Sequence, residues 1–226
     1  MLEEQSTLAE RLSLVQLGIA DAAKAASRDP ASITTVVVTK FHDASLVRDL
    51  YALGVRDFGE SRHQDAAPKI AGLADLDATW HFVGQLQSKK ARLVREYAHV
   101  IHSVDRESLV LALAGAPSRG VFLQVNLTDD PARGGAQPAD LPALAEAVVT
   151  TDGLDLLGLM AVAPLGAEPR RAFETVRLLS ERLRETSPRA SGLSMGMSGD
   201  FAEAILEGAT HLRIGTAITG KRLNHG

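Results

Sequence analysis

The sequence predicts one α/β domain over residues 1–226, a closed (β/α)8 TIM barrel preceded by an extra N-terminal helix. Short runs of β-branched and aliphatic residues alternate with amphipathic stretches of roughly ten to eighteen residues, which is typical of βα units. Eight such runs occur in a chain of 226 residues, the usual size of one barrel. No segment rich in proline and glycine divides the chain, so we expect a single domain.

Periodicity assigns the elements in order. Leu8, Leu12, Val15 and Ile19 recur at helical spacing and define the apolar face of the leading helix. Two later helical faces consist of Leu46, Leu50 and Leu53 and of Phe173, Val176 and Leu183. The predicted strands are ITTVVVT (33–39), VRDFG (55–59), TWHFVG (79–84), HVIHSV (99–104), GVFLQVNL (120–127), LDLLGLMAV (154–162), GLSMG (192–196) and HLRIG (211–215).

An open, doubly wound sheet is the rival arrangement of alternating strands and helices. Such a sheet usually carries a glycine-rich nucleotide-binding turn after its first strand. In this chain the first strand is followed by TKFHD, which contains no glycine. The pattern therefore favours the closed barrel.

Composition and charge exclude several classes of function. The chain is 45% hydrophobic and 23% charged, with a formal net charge of -4 and no cysteine, which excludes disulfides, thiolate zinc sites and a cysteine nucleophile. No basic run indicates nucleic-acid binding, and the histidines lack the spacing of metal ligands. The sequence has no signal peptide, no apolar span and no spare apolar stripe, so we expect a cytoplasmic, monomeric protein without a metal.

The candidate site follows from the fold, because the active site of such a barrel lies at the C-terminal ends of its strands. Polar and small residues accumulate at those ends in this sequence. The candidates are Lys40, Ser61, His81, Asn126, Met160, Ser194, Gly196, Arg213, Gly215 and Thr216.

The loops after the last two strands, LSMGMSGD and LRIGTAITG, carry the strongest local signals. Glycines allow a ligand to approach the backbone closely, and the first turn of a helix presents free N–H groups to an anion. Helix capping by Ser198 and a tight turn at Gly215 would explain either loop alone. The two loops together, at the usual phosphate site of these barrels, favour phosphate binding.

Lys40 ends the first strand and shares one face with Val36 and Val38. If that face is the barrel interior, the ammonium group loses solvation and its amine becomes a usable nucleophile, suited to a Schiff base with a carbonyl. The alternative is a lysine that extends from the rim into water. An amine beside a phosphate site suggests a phosphorylated aldehyde as the ligand.

Arg213 lies in the last strand, two residues before Gly215. It could form an ion pair inside the barrel mouth. It could also donate a hydrogen bond to the ring nitrogen of pyridoxal phosphate, since arginine is a usual partner of that pyridine. An arginine donor keeps the nitrogen unprotonated, and the ring is then a weak electron sink.

Three further candidates have an alternative structural explanation. His81 could line the pocket or be a core histidine bonded to the backbone. Asn126 could bond a substituent of the ligand ring or cap a loop. Met160 is suited to packing against a ligand rather than to reacting with it.

Eight motifs in order resemble the pyridoxal phosphate homeostasis protein family, a single-domain relative of the alanine racemase N-terminal barrel. They are VVVTK, DFGES, WHFVGQLQSKK, SVDR, QVNLTDD, GLMAVAP, LSMGMSGD and LRIGTAITG, between about residues 5 and 221. The resemblance implies that Lys40 holds the cofactor and that Arg213 faces its pyridine nitrogen. It also implies a phosphate site at Ser194, Gly215 and Thr216, with Met195 and Gly196 nearby.

One departure affects the predicted site. The family usually has GEN followed by an aromatic residue, whereas this chain has GESR, with Ser61 in place of the asparagine. That change alters one polar group near the cofactor.

The resemblance implies a role in pyridoxal phosphate homeostasis, with reversible binding, transfer to apo-enzymes and no turnover. A related racemase needs a second acid/base, usually a tyrosine from an additional domain. This sequence ends at Gly226, and Tyr51 and Tyr97 fall in predicted surface helices. The alternatives are a pyridoxal-phosphate-dependent, racemase-like enzyme with His81 as second base, and a Schiff-base phosphosugar aldolase using Lys40.

Overall fold

The structure, a computed structural model, describes residues 6–220. Within that range eight parallel strands close into a barrel in chain order, and the last strand pairs with the first. The predicted fold class is confirmed. The strands are β1 (Thr34–Val38), β2 (Asp57–Glu60), β3 (Thr79–Phe82), β4 (Val100–Val104), β5 (Arg119–Gln124), β6 (Leu154–Met160), β7 (Gly192–Ser194) and β8 (His211–Ile214).

Helices follow the strands and surround the barrel, and α1 precedes them as the sequence predicts. The helices are α1 (Leu8–Ala25), α2 (Ala44–Ala52), α3 (His63–Ala71), α4 (Ala91–Arg95), α5 (Glu107–Leu113), α6 (Leu141–Val149), α7 (Pro169–Thr186), α8 (Phe201–Leu206) and α9 (Thr216–Thr219). Between residues 6 and 220, none of them combines the length and the apolarity needed to cross a bilayer.

The N-terminal helix has a defined start and a buried face. Thr7 and Glu10 form a reciprocal capping box at its first turn, which satisfies two otherwise free backbone N–H groups. Leu12, Val15 and Ile19 are buried, and the helix packs against α8 and α9. It therefore lies beside the last βα units of the barrel, next to the segment that joins β8 to α9.

Strand alternation separates two layers of side chains. Val37 and Phe58 point outward and belong to the apolar layer between the sheet and the helices. Val36 and Val38 point inward, where an added Cβ on Gly59 would lie 3.1 and 3.2 Å from their side chains. The C-terminal ends of all the strands open at one mouth of the barrel, which is where the sequence places the candidate residues.

Candidate functional site

Lys40 lies beside the last βα loop because β1 pairs with β8. Val37 is in register with Ile214, and both strands run in the same direction. Lys40 and Gly215 follow them and leave the sheet side by side. An added Cβ on Gly215 would lie 3.7 Å from the Cβ of Val38, so the loop approaches β1 closely. An amine and a glycine loop therefore adjoin at the mouth.

The backbone turns sharply at Lys40. His42 N donates to Thr39 O at 3.1 Å, and Phe41 takes a left-handed φ of 69°, which is uncommon outside glycine. Lys40 is exposed, with Nζ 5.8 Å from the centroid of the Phe41 ring. The ammonium group of Lys40 is therefore not desolvated, which corrects that expectation. Lys40 instead lies at the rim of the barrel, in contact with water, as the alternative interpretation had it.

A buried ion pair supports this turn from outside the barrel. Lys69 Nζ lies 2.7 Å from Glu60 Oε1 and donates to Thr39 O at 3.0 Å. Thr39 Oγ1 donates to the same carboxylate oxygen at 2.8 Å. Both charged side chains are nearly inaccessible, at 9% and 1% exposure. The backbone that leads into Lys40 is therefore held by a charge-assisted network.

Arg213 is buried below the mouth and bonded to neutral acceptors. Its Nη1 donates to Ser194 O and Ser194 Oγ, each at 2.7 Å, and its Nη2 donates to Ala161 O at 2.9 Å. Among residues 6–220 no carboxylate forms an ion pair with it, so that alternative is not what the structure has. Burial lowers its pKa to about 10, and it remains a cation near neutral pH.

The two glycine-containing loops meet near the start of α9. Gly196 has a φ of 92°, and an added Cβ there would lie 2.6 Å from the Cβ of Ala204, so a side chain is excluded. Beyond this turn, Ser198 Oγ accepts from Ala217 N at 3.4 Å. Thr216, the first residue of α9, is exposed. Hydroxyl and backbone N–H groups thus meet at the start of α9.

Two residues predicted for the phosphate region lie elsewhere. Ser194 is fully buried, and its hydroxyl lies 2.7 Å from both Arg213 Nη1 and His102 Nδ1. Met195 points outward into the apolar layer between the sheet and the helices. Alternation along β7 and the residue after it explains both corrections, since Ser194 faces the interior and Met195 faces the helices.

Asn126 caps its own loop, which corrects its assignment to the cofactor. Its Oδ1 accepts from Thr128 N at 2.9 Å and from Thr128 Oγ1 at 2.8 Å, while its Nδ2 donates to Asp130 O at 2.8 Å. The loop-capping alternative is therefore the one that the structure has.

Ser61 and Met160 end their strands at the mouth, as predicted. Ser61 is half-buried. Its carbonyl oxygen packs against Gly84, where an added Cβ would lie only 2.1 Å from that oxygen. Met160 is buried at the end of β6. Their contact with a cofactor remains a prediction.

His81 is a core residue rather than a pocket residue. Its Nε2 lies 3.0 Å from Asp57 Oδ1, and its Nδ1 lies 2.9 Å from His102 Nε2. The rings of His81 on β3 and His211 on β8 are 6.4 Å apart although these strands are not neighbours, so they meet across the interior. Both nitrogens of His81 are engaged, which corrects its assignments as a pocket residue and as a second base.

The sequence analysis missed the other polar residues of the interior. Burial is the main cause that lowers the pKa of His102 well below its ordinary value and the pKa of His211 to about 4. His102 lies in the predicted strand HVIHSV, and His211 lies in HLRIG two residues before Arg213, so His211 and Arg213 share one face of that strand. Applying to these strands the alternation used for Val36, Val38 and Lys40 would have found them.

Comparison with known proteins identifies the family. The alanine racemase N-terminal domain model matches residues 19–222. The pyridoxal phosphate homeostasis protein of Pseudomonas aeruginosa is 45% identical over 222 residues, which cover 96% of each chain. The chain belongs to the pyridoxal phosphate homeostasis protein family. The resemblance inferred from the motifs is thereby confirmed.

Solved structures agree with this membership. PipY of Synechococcus elongatus PCC7942, solved with pyridoxal phosphate bound, has a TM-score of 0.84 and 39% identity, covering 95% of this chain and 100% of its own. Alanine racemase of Corynebacterium glutamicum has a TM-score of 0.70 at 15% identity, covering 95% of this chain and 63% of the racemase. The racemase shares the barrel fold with this member of the homeostasis family.

Proposed function

We propose that this protein binds pyridoxal 5'-phosphate at the barrel mouth, through a Schiff base between the cofactor aldehyde and Nζ of Lys40, without substrate turnover. The observation that carries the proposal is the parallel pairing of β1 with β8. It brings Lys40 to the mouth beside the loop at Gly215, four residues beyond Val36, which is in register with Arg213. Family membership and the cofactor bound to PipY support the same ligand.

The donors at the mouth fit this cofactor. Thr216, Ser198 and the N–H groups at the start of α9 suit a phosphate dianion. Arg213 has five N–H donors, and its contacts to Ser194 and Ala161 use three of them. A donor therefore remains for the pyridine nitrogen. When bound, the cofactor supplies an aldehyde for the amine and an electron-withdrawing ring.

The chain's own residues favour holding the cofactor over catalysis. Arg213 stays protonated near neutral pH and donates to the ring nitrogen, so it does not increase the electron demand of the ring. His81, the proposed second base of the racemase-like alternative, has both ring nitrogens bonded inside the barrel. Racemisation needs an acid and a base on opposite faces of a substrate, and His81 is not available for either role.

Trapping the bound cofactor tests the proposal. Wild-type protein is mixed with pyridoxal phosphate, and the absorption band of the adduct is recorded before and after reduction with borohydride. Peptide mass spectrometry then locates the reduced adduct, which we expect on Lys40. Lys40→Ala should lack both the band and the adduct, whereas Lys24→Ala, on the exposed side of α1, should retain both.

Other results of that experiment would contradict the proposal. An adduct on Lys69 instead of Lys40 would mean that the wrong lysine had been assigned. Absence of a band in wild type would reject pyridoxal phosphate as the ligand and favour the alternative of a phosphosugar aldolase. An assay for cleavage of phosphorylated sugars would then test that alternative. Amino-acid racemisation that disappears in Lys40→Ala would replace the non-catalytic role with the racemase-like one.

We further propose that the protein is a cytoplasmic monomer and that its role in homeostasis includes transfer of pyridoxal phosphate to apo-enzymes. The family name supports homeostasis but names no recipient. Activation of a cofactor-free pyridoxal phosphate enzyme by the loaded protein, with sedimentation analysis of the protein itself, tests both points. A stable dimer, or activation no faster than release into buffer, would contradict them.

A further inference from the structure

A chain of hydrogen bonds crosses the barrel interior below the candidate site. Asp57 Oδ1 lies 3.0 Å from His81 Nε2, and His81 Nδ1 lies 2.9 Å from His102 Nε2. His102 Nδ1 then lies 2.7 Å from Ser194 Oγ, which accepts from Arg213 Nη1 at 2.7 Å. The two imidazoles and the serine are at most 3% exposed. The chain joins β2, β3, β4, β7 and β8.

The chemistry of the end groups sets the direction of donation. Arg213 can only donate, and an ionised Asp57 can only accept. With neutral imidazoles, Ser194 Oγ therefore accepts from Arg213 and donates its proton to His102 Nδ1. His102 Nε2–H donates to His81, and His81 Nε2–H donates to Asp57. Every link then has one donor and one acceptor, with both rings in the Nε2–H form.

The surroundings of His102 favour its neutral form. His102 is fully buried, and its ring stacks on Phe122 with centroids 4.8 Å apart. The cation of Arg213 and the ring of His211, 6.2 Å from His102, also face it. Burial, together with the neighbouring His81, Arg213 and His211, lowers the pKa of His102 well below its ordinary value. A neutral His102 can accept from Ser194, as the direction of the chain requires.

Arg213 depends on this arrangement because its acceptors are neutral. Two of its three protein contacts go to Ser194, one of them to the hydroxyl. If His102 donated to that hydroxyl instead, two donors would converge on one oxygen and its proton would need another partner. A hydroxyl oriented by His102 presents its lone pairs to the guanidinium, and chains of hydrogen bonds in a low-dielectric interior strengthen one another.

We propose that Asp57, His81, His102 and Ser194 are positioning residues, whose directional hydrogen-bond chain holds Arg213 in place for the cofactor. The chain begins at Asp57, the first residue of β2, at the end of the barrel opposite the mouth. Residues remote from the ligand would thus control its environment. Only the last step of this inference, the effect on the cofactor, rests on the proposed function.

The direction of the chain is tested without any cofactor. Long-range proton–nitrogen NMR spectra of the cofactor-free protein distinguish the two neutral forms of an imidazole. We expect His81 and His102 both to carry their proton on Nε2 at neutral pH, with assignments from the single variants His81→Gln and His102→Phe. A proton on Nδ1 of His102 would overturn the proposed direction, whatever the protein binds.

The effect on the cofactor is tested with two matched pairs of variants. His102→Phe removes the link and keeps a ring on Phe122, whereas His211→Phe makes the same change in the same layer outside the chain. We expect roughly tenfold weaker pyridoxal phosphate binding and a shifted absorption maximum for the first, the effect of about one lost hydrogen bond. The second should change neither.

Asp57 provides the second pair, at a partly exposed position where folding is less at risk. Asp57→Ala removes the terminal acceptor and should shift the absorption of the bound cofactor. Asp57→Asn keeps an acceptor for His81 and should restore the wild-type spectrum. If wild type binds the cofactor and both members of each pair behave alike, the positioning role is wrong. If wild type does not bind, the proposed function fails, and the NMR result stands separately.

Discussion

The two faces of the barrel sheet differ in chemistry. The outward face packs Val37, Phe58 and Leu123 against the helices, in a continuous apolar layer. The inward face combines apolar side chains such as Phe122 with His81, His102 and Arg213, which belong to one chain of hydrogen bonds. Burial of apolar area stabilises the fold, whereas each buried polar group destabilises it unless it has a partner. The outer layer therefore supplies stability, and the interior supports the site.

Thr39 and Glu60, near the mouth, are an exception to this contrast. Both occupy outward positions, yet they bond to Lys69 of α3 instead of packing as apolar side chains. The exception lies directly beneath Lys40. Charge thus enters the outer layer where a turn of the backbone at the site has to be held.

The largest expected effect is in the outer layer. Phe58 is fully buried, and its ring centroid lies 5.5 Å from that of Trp80. Phe58→Ala should lower the free energy of unfolding by about 3–5 kcal/mol, because it removes buried area and leaves a cavity. Urea denaturation measures this loss. Leu165→Ala, at a residue 94% exposed, should change stability by less than about 0.5 kcal/mol. Equal losses would contradict the contrast.

Substitutions at Lys69 and Glu60 should change stability in the way expected of a buried ion pair rather than of an apolar contact. Lys69→Met leaves the Glu60 carboxylate buried without its cation, which should lower the free energy of unfolding by about 3 kcal/mol. In the double variant Lys69→Met, Glu60→Gln the buried charge is gone, and we expect much of that loss to be recovered. Urea denaturation of wild type, of each single variant (Lys69→Met and Glu60→Gln) and of the double variant gives the coupling energy between the two residues. Additive losses would show that the two residues act independently.

The polar interior should make the protein sensitive to mild acid. Burial lowers the pKa of His211 from 6.5 to about 4, and the pKa of His102 falls in the same direction. Below pH 6.5 the unfolded chain binds protons that the folded protein does not, so stability is full above that pH and decreases as pH falls. Each histidine contributes up to about 1.4 kcal/mol per pH unit.

Urea denaturation between roughly pH 5 and pH 7.5, the range in which histidines titrate, measures that dependence. His211→Asn should reduce the slope. His99→Gln should reduce it less, because His99, whose pKa burial also lowers, is the more exposed of the two residues. A slope unchanged in His211→Asn would mean that this interior ring does not contribute to it.

The smallest expected effect on stability is at the mouth itself. Lys40 is exposed, so Lys40→Ala should change the free energy of unfolding by less than about 0.5 kcal/mol. The same variant should lose the cofactor adduct completely. Thermal unfolding without cofactor, compared with absorption after its addition, separates the two effects. A large loss of stability in Lys40→Ala would show that Lys40 has a structural role, contrary to the prediction.

Local pattern accounts for most of what could be predicted. Alternation and helical spacing located the strands and α1, because each element must bury one face and that requirement appears in neighbouring residues. Lys40, Gly215 and Thr216 could be placed at the mouth because they follow strand ends in an α/β barrel. Ser194 and Met195 were misplaced because alternation along β7 was not applied there.

The sequence by itself determined the fold class and the family, and it located the lysine and the glycine loops of the candidate site, since these depend on short motifs and on order along the chain. Only the tertiary structure decided which side chains meet. The links from Asp57 to His81, from His102 to Ser194 and on to Arg213 join residues up to 92 positions apart. Barrel closure brings their strands together, and the register between strands, which no single segment encodes, sets which groups face one another.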